Sequence, residues 1–177
     1  EVKRAVFDMG QMKSPGEDGF GPIFFQKNWV TVGGCVCTMI MNALSSGKLP
    51  AGINHTVIRL IPKVSNPETI VDFRPISLLK VSIKVITRLL SNRLRPIMCN
   101  IISPFQSSFL PERGTNDNII LVHEVMHSFK KTSGPSGLMA SKIDLSKAYD
   151  RLRWPFIKES FECRGWPSNW VALMLAP

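Results

Sequence analysis

Lys142-Ile-Asp-Leu-Ser-Lys-Ala-Tyr-Asp-Arg-Leu-Arg-Trp154 is the stretch on which the reading of this chain turns. Residues 138–143, which lead into it, have the apolar content and length of a β-strand, and residues 146–152 favour helix, so Asp144 falls at the switch between them. A carboxylate at a strand end is held rigidly. Hard divalent cations take oxygen ligands, commonly one or two carboxylates together with the phosphates of a substrate. An aromatic residue, Tyr149, follows five positions after Asp144. The layout predicts a metal beside a nucleotide. Taken by itself, Asp144 suits a local turn or the cap of the next helix better than a metal site.

Upstream, residues 8–21 form a glycine-rich, proline-punctuated loop. Helical patterns follow over residues 22–32 and 35–44, separated by Gly33-Gly34, with apolar faces expected to pack into one core. Residues 47–54 read as loop, residues 56–61 as a strand stopping at Pro62, and residues 65–72 as a polar turn. Lys63 and Arg74 bracket that turn. On a finger-like hairpin they suit a triphosphate, Arg offering a bidentate fork and Lys a point charge. Residues 77–95 give the clearest helix, with Leu79, Ile83, Ile86, Leu90 and Leu94 at helical spacing and Pro96 as its expected end. Lys80, Lys84 and Arg88 stand four apart on another face, either a stripe that follows phosphates or a solvated helix surface.

His123-Glu-Val-Met-His127 fits the zinc-protease pattern of two histidine ligands and a general-base glutamate, on a helix expected over residues 118–131. Ile119, Val122, Met126 and Phe129 are the expected core stripe of that helix. The longer zinc motif fails, because Lys130 and Ser133 stand where it needs Gly and His, although Glu159 or Glu162 offers a distant ligand. Cys35, Cys37, Cys99 and Cys163 lack the paired spacing of structural zinc sites and are expected to be reduced, mostly buried thiols. Lys and Arg outnumber Asp and Glu by 22 to 13, and the resulting net charge of +9 suits a polyanionic partner. No stretch resembles a signal peptide or approaches the roughly 20 apolar residues that span a bilayer, so no membrane association is expected and the nucleus or cytoplasm is the expected location.

The run from Lys142 resembles the first catalytic motif of reverse transcriptases of non-LTR (LINE-type) retrotransposons, especially those of plant genomes. The resemblance continues in order through Lys13-Ser-Pro-Gly-Glu-Asp-Gly-Phe20, Gly52-Ile-Asn-His-Thr-Val-Ile-Arg-Leu-Ile-Pro-Lys63, Asp72-Phe-Arg-Pro-Ile-Ser-Leu78, Ser103-Pro-Phe-Gln-Ser-Ser-Phe109, Asp117-Asn118 and Gly165-Trp-Pro-Ser-Asn-Trp170. It implies an α+β fold, the fingers and N-terminal half of the palm of a right-hand polymerase. Residues 1–137 would be fingers, and residues 138–177 the start of the palm in an incomplete domain. It implies RNA-directed DNA polymerisation by two-metal nucleotidyl transfer, with an RNA template, a DNA primer and deoxynucleoside triphosphates as partners and Mg2+ or Mn2+ as cofactor. Asp144 would be the catalytic metal ligand, assisted by the backbone carbonyl of Leu145. Lys63 and Arg74 would grip the triphosphate, the backbone N–H groups near Lys147 and Ala148 would cradle it, and Tyr149 would face the sugar and exclude a ribose 2′-hydroxyl.

The sequence departs from that family in places. The second acidic motif, an aromatic followed by Ala-Asp-Asp, does not occur in these 177 residues, so the fragment is expected to be inactive alone. Glu17 stands where the family usually has Pro, and Glu112 where it usually has Gly. The alternative is a non-catalytic remnant that still binds nucleic acid, and a remote one is the zinc protease built on His123, Glu124 and His127.

Overall fold

The computed structural model describes residues 1–132, 137–145 and 151–176. In chain order these form α1 (Val2–Phe7), α2 (Pro22–Lys27), α3 (Trp29–Ser46), β1 (Thr56–Pro62), a 3-10 turn (Ile70–Asp72), β2 (Phe73–Leu79), α4 (Val81–Ile101), α5 (Thr115–Lys131), α6 (Trp154–Glu162) and α7 (Ser168–Met174). By its internal contacts the chain divides into two units, Glu1–Ser91 with Arg153–Pro177, and Asn92–Leu152. The mixture of helices with a small antiparallel sheet is that of the α+β fingers and partial palm implied by the sequence.

The first unit closes around one apolar core. Val2, Ala5 and Val6 of α1, Val36, Ile40 and Ala43 of α3, Ile83, Ile86 and Leu90 of α4, and Leu173 of α7 are all buried there. The stripe read at Ile83, Ile86 and Leu90 is therefore the face that packs. Gln26 ties α2 to this core, donating to the carbonyls of Val6 and Met9, each at 2.9 Å. On length and composition alone α3 could cross a bilayer, a match the sequence reading did not anticipate, yet it supplies Val36, Ile40 and Ala43 to the core.

Helix boundaries differ from the expectation at three places, each for a packing reason. The break falls at Asn28 rather than at Gly33-Gly34: the Asn28 amide donates to the Phe24 carbonyl at 2.9 Å, while its own carbonyl accepts from Thr31 and Val32. α3 then runs straight through the glycines, because the Trp29 ring lies where a Gly33 side chain would be, 2.7 Å from an added Cβ. Tertiary packing here outweighs the helix cost of glycine, about 1 kcal/mol. Residues 77–79 are strand, since they pair with β1 in the register Ile58↔Ser77, Val57↔Leu78 and Thr56↔Leu79. The helix begins at Val81 and does not end at Pro96. Proline removes one helical donor, but α4 continues to Ile101, where Arg113 donates to the Cys99 and Ile102 carbonyls and satisfies the far end.

Three burial and strand expectations also fail. Residues 138–143 are not a strand: residues 137–145 have no regular structure, and Met139 and Ile143 are 89% and 84% exposed. Backbone N–H and C=O groups need a partner strand to form a ladder, and among the described residues β1 and β2 pair only with each other. Ile119, Val122 and Met126 are exposed and Phe129 half-buried on α5, which buries none of its residues, so the stripe is apolar without being core. No cysteine is buried either; Cys35 and Cys163 are exposed and Cys37 and Cys99 half-buried, all as free thiols.

Candidate functional site

β1 and β2 make an antiparallel hairpin whose pairing sets Ile61 opposite Arg74 and Pro62 opposite Phe73. Side chains alternate faces along a strand and directly opposed residues share one. Arg59 and Ile61 therefore lie on the same face as Arg74. Lys63 follows the last strand residue and is held twice, its N–H donating to the Asp72 carbonyl and its Nζ to the Val71 carbonyl, both at 2.7 Å. The Arg74 side chain is exposed, with no hydrogen-bond or ion-pair partner among the described residues. The hairpin thus carries both cations picked from the sequence, Arg74 within β2 and Lys63 just past β1. The register adds Arg59, which was missed although two-residue alternation from Ile61 marks the same face.

The tip of the hairpin is organised by one carboxylate. Asp72 accepts from the Thr69 N–H and hydroxyl, both at 2.9 Å, and from the Glu68 N–H at 3.2 Å. These bonds, the Thr69 backbone bond first, hold its carboxyl below the usual Asp range. A defined tip fixes where Lys63 and Arg74 leave the backbone.

Lys80, Lys84 and Arg88 do not form one exposed stripe. Lys80 immediately precedes α4 and its Nζ lies 2.7 Å from Glu17 Oε1 and 2.8 Å from the Gly52 carbonyl. Lys84 donates to the Ser14 carbonyl at 2.6 Å, while Arg88 is exposed. The family-type loop at residues 13–20 is thereby pinned against the start of α4. Gly16 makes the approach close enough, since a Cβ there would meet the Lys80 nitrogen at 2.6 Å. Glu17, the residue that departs from the family pattern, also lies 3.8 Å from His55 Nδ1, and its hydrogen bond to Lys80 holds its carboxyl below the usual range.

Asp144 and Leu145 belong to the second unit, in the exposed segment of residues 137–145. Lys147, Ala148 and Tyr149 lie outside the described residues. The donor chemistry of Asp144 and the Leu145 carbonyl suits a hard cation, but two oxygens fall short of an octahedral shell. Among the described residues no three His, Cys, Asp or Glu side chains gather around one point. The same holds for His123, Glu124 and His127, which are exposed on α5 without a third ligand among the described residues.

In the loop between α4 and α5, Arg113 reaches the carbonyls of Ser103 at 2.6 Å, Gln106 at 2.8 Å and Cys99 at 3.2 Å. Glu112 beside it sits in the left-handed region, at φ 63°. Glycine reaches that region without strain, so a Gly would suit this position better than Glu.

Comparison with known proteins places these features in context. The family described as reverse transcriptase (RNA-dependent DNA polymerase) matches residues 61–176, a span that holds Lys63, Arg74 and Asp144. The uncharacterized 149 kDa protein of transposon TX1 from Xenopus laevis is 34% identical over 152 residues, 86% of this chain. The retrovirus-related Pol polyprotein from the type-2 retrotransposable element R2DM of Drosophila melanogaster is 32% identical over 160 residues, 89% of this chain. The chain spans only 12% and 14% of the lengths of these relatives.

Proposed function

Because the chain belongs to the reverse transcriptase (RNA-dependent DNA polymerase) family, of the non-LTR retrotransposon kind, we propose that it serves RNA-directed DNA synthesis, with Lys63 and Arg74 holding the triphosphate of an incoming deoxynucleotide. The observation that carries this reading is the β1–β2 register, which sets Arg59 and Arg74 on one face of a hairpin with Lys63 just past the end of β1, Lys63 and Arg74 both falling in the matched span. Arg74 offers a planar fork for two phosphate oxygens. Lys63 adds a point charge.

Asp144 is the carboxylate we assign to the catalytic metal, with the Leu145 carbonyl beside it and Mg2+ as the cation. When bound, such a metal neutralises triphosphate charge and acidifies the primer hydroxyl. The remaining assignments follow the sequence: the N–H groups near Lys147 and Ala148 hold phosphate oxygens, and Tyr149 faces the sugar. An RNA template and a DNA primer are the proposed strands. The 177 residues by themselves are expected to bind a deoxynucleoside triphosphate.

Equilibrium binding of a fluorescent deoxynucleoside triphosphate in Mg2+ tests the reading. Arg74→Ala is expected to weaken it about tenfold, in line with loss of a charge-assisted bidentate contact of about 1.5 kcal/mol. Lys63→Ala should cost less, since its ammonium already serves the Val71 carbonyl. Unchanged affinity in the Arg74 variant would remove the hairpin from the nucleotide site.

A further inference from the structure

The last two helices of the first unit form a cleft that the assignment above leaves unused. Trp154, Lys158 and Glu162 recur every four residues along α6, with Pro155 and Glu159 one position on, so all five share one side of the helix. Together with Leu175, which follows α7, they line a cleft of about 470 Å³. In a chain of net charge +9 this cleft is locally acidic, because two carboxylates and one ammonium stand over a tryptophan, a proline and a leucine. Trp154 is 60% exposed, and its ring makes no aromatic or cation–π contact among the described residues. The Lys158 ammonium lies 3.7 Å from Glu162 Oε1, an exposed pair of the kind that contributes little and opens readily. The Glu159 carboxylate has no ion pair or side-chain hydrogen bond among the described residues. Phe161 meets Trp166 edge-on, with ring centroids 5.8 Å apart, and so fixes α6 against the turn that leads into α7.

An open indole ring beside an unpaired carboxylate suits a ligand that is both flat and cationic. A guanidinium meets both demands, since it stacks on a tryptophan face and forks onto a carboxylate, whereas an ammonium is more strongly hydrated and has no plane to stack. The carboxylates repel phosphate, so neither a nucleic-acid strand nor an anionic lipid surface fits this side of α6. The volume lies within the range of about 300–1,000 Å³ usual for ligand sites and takes an arginine side chain together with an apolar neighbour against Pro155 and Leu175. We propose that the α6–α7 cleft docks an arginine-bearing peptide segment of a partner protein, its guanidinium stacked on the Trp154 ring and paired with Glu159. Lys63, Arg74 and Asp144 take no part, so the site is independent of the nucleotide assignment.

The test is fluorescence anisotropy of the 177-residue chain with a fluorescein-labelled peptide of serines and leucines around one central arginine, set against the same peptide with citrulline in the arginine's place. Citrulline keeps the shape and the plane but not the charge. The arginine peptide is expected to bind about tenfold more tightly than the citrulline one, in line with a charge-assisted bidentate contact. Glu159→Gln and Trp154→Ala should each weaken the arginine peptide about tenfold, while Glu124→Gln, which removes an equal charge from α5, should stay within about twofold of wild type. Lys158→Gln should tighten binding, because it frees Glu162 and removes a like charge. Equal affinity for the two peptides would overturn the arginine assignment, and equal losses in Glu159→Gln and Glu124→Gln would overturn the site, leaving only diffuse attraction. Binding of a labelled single-stranded RNA is expected unchanged in Trp154→Ala; its loss would give the ring to a nucleobase and overturn the protein partner. Circular dichroism checks the fold of each variant, and where Trp154→Ala unfolds, the exposed Glu159→Gln substitution and the peptide pair still decide the outcome.

Discussion

The two units of this chain are held together by different physics. In the first, Val6, Ile40, Ile83 and Ile86 are each at most 1% exposed and pack into one cluster. In the second, no apolar side chain is buried among the described residues; Ser107 is the buried residue, and the loop between α4 and α5 hangs on the Arg113 guanidinium. Apolar stripes mark both α4 and α5, yet among the described residues only the α4 stripe is covered. A stripe specifies which face seeks burial, and whether it is buried depends on what lies opposite.

The largest effect that tests this contrast is truncation within the stripes. Ile86→Ala is expected to cost about 2–5 kcal/mol, as for other large-to-small changes in a packed core. Val122→Ala on α5 should cost less than about 1 kcal/mol, because Val122 is already 59% exposed. Urea unfolding of both variants measures this. A loss at Val122 as large as that at Ile86 would mean that α5 is packed in solution, and the contrast would be gone. Amide exchange sharpens the same point, with α3 protected up to the global stability and α5 exchanging through smaller local openings.

A second, smaller effect tests whether the first unit is also held by its loop. Gly16→Ala places a Cβ against the Lys80 backbone nitrogen at 2.6 Å, a contact that no side-chain rotation relieves. Destabilisation of about 1–3 kcal/mol is expected from such overpacking. Chemical shifts of Lys80 and Glu17 should move with it. An Ala variant as stable as wild type would show that residues 13–20 do not press on the start of α4.

How much of this was legible depends on whether a residue's partner is close in sequence. The β1 strand, the polar turn and the α4 stripe are local signals, and all three have counterparts in the structure. Leu79 misled because it sits at helical spacing from Ile83 and packs on the same core while belonging to β2. Gly33 misled because its reason for being glycine, the Trp29 ring, is invisible to propensity. The strand expected over residues 138–143 had the right composition but needs a partner edge that composition does not report. Arg113 went unnoticed for the same reason, as its value lies in carbonyls up to 14 residues away.

Acid titration gives a third effect, confined to the loop and hairpin of the first unit. Glu17 and Asp72 both have folded pKa values below their ordinary values of 4.5 and 3.8, the first chiefly through Lys80 and the second chiefly through the Thr69 backbone bond. A depressed carboxylate stabilises the fold fully above its unfolded pKa, and that contribution is lost as pH falls through the folded value. Stability should therefore be level near neutrality and begin to fall below about pH 5. Both groups are solvent-exposed, so each contribution is small. Glu17→Gln and Asp72→Asn should each flatten the acid limb in urea midpoints taken from pH 7 down to pH 2. An unchanged limb in both would place the acid sensitivity elsewhere.

The smallest effect lies in the second unit and runs in the stabilising direction. Glu112 holds φ at 63°, a left-handed conformation that strains a residue with a Cβ, by about 1–2 kcal/mol relative to the right-handed region. Glycine populates that region freely but gives back part of the gain, because its unfolded chain has more conformational entropy to lose. The net expectation for Glu112→Gly is a gain of about 0.5–1 kcal/mol. Since the neighbouring Arg113 donates to the carbonyls of Cys99, Ser103 and Gln106, relief at residue 112 should tighten the whole loop. Exchange of amides in residues 102–114 should slow in the variant, while α3 and the first half of α4 stay as they were. If the variant slowed exchange throughout the first unit instead, the two units would not be separate in stability, and the contrast between a packed core and a hydrogen-bonded loop would have to be abandoned.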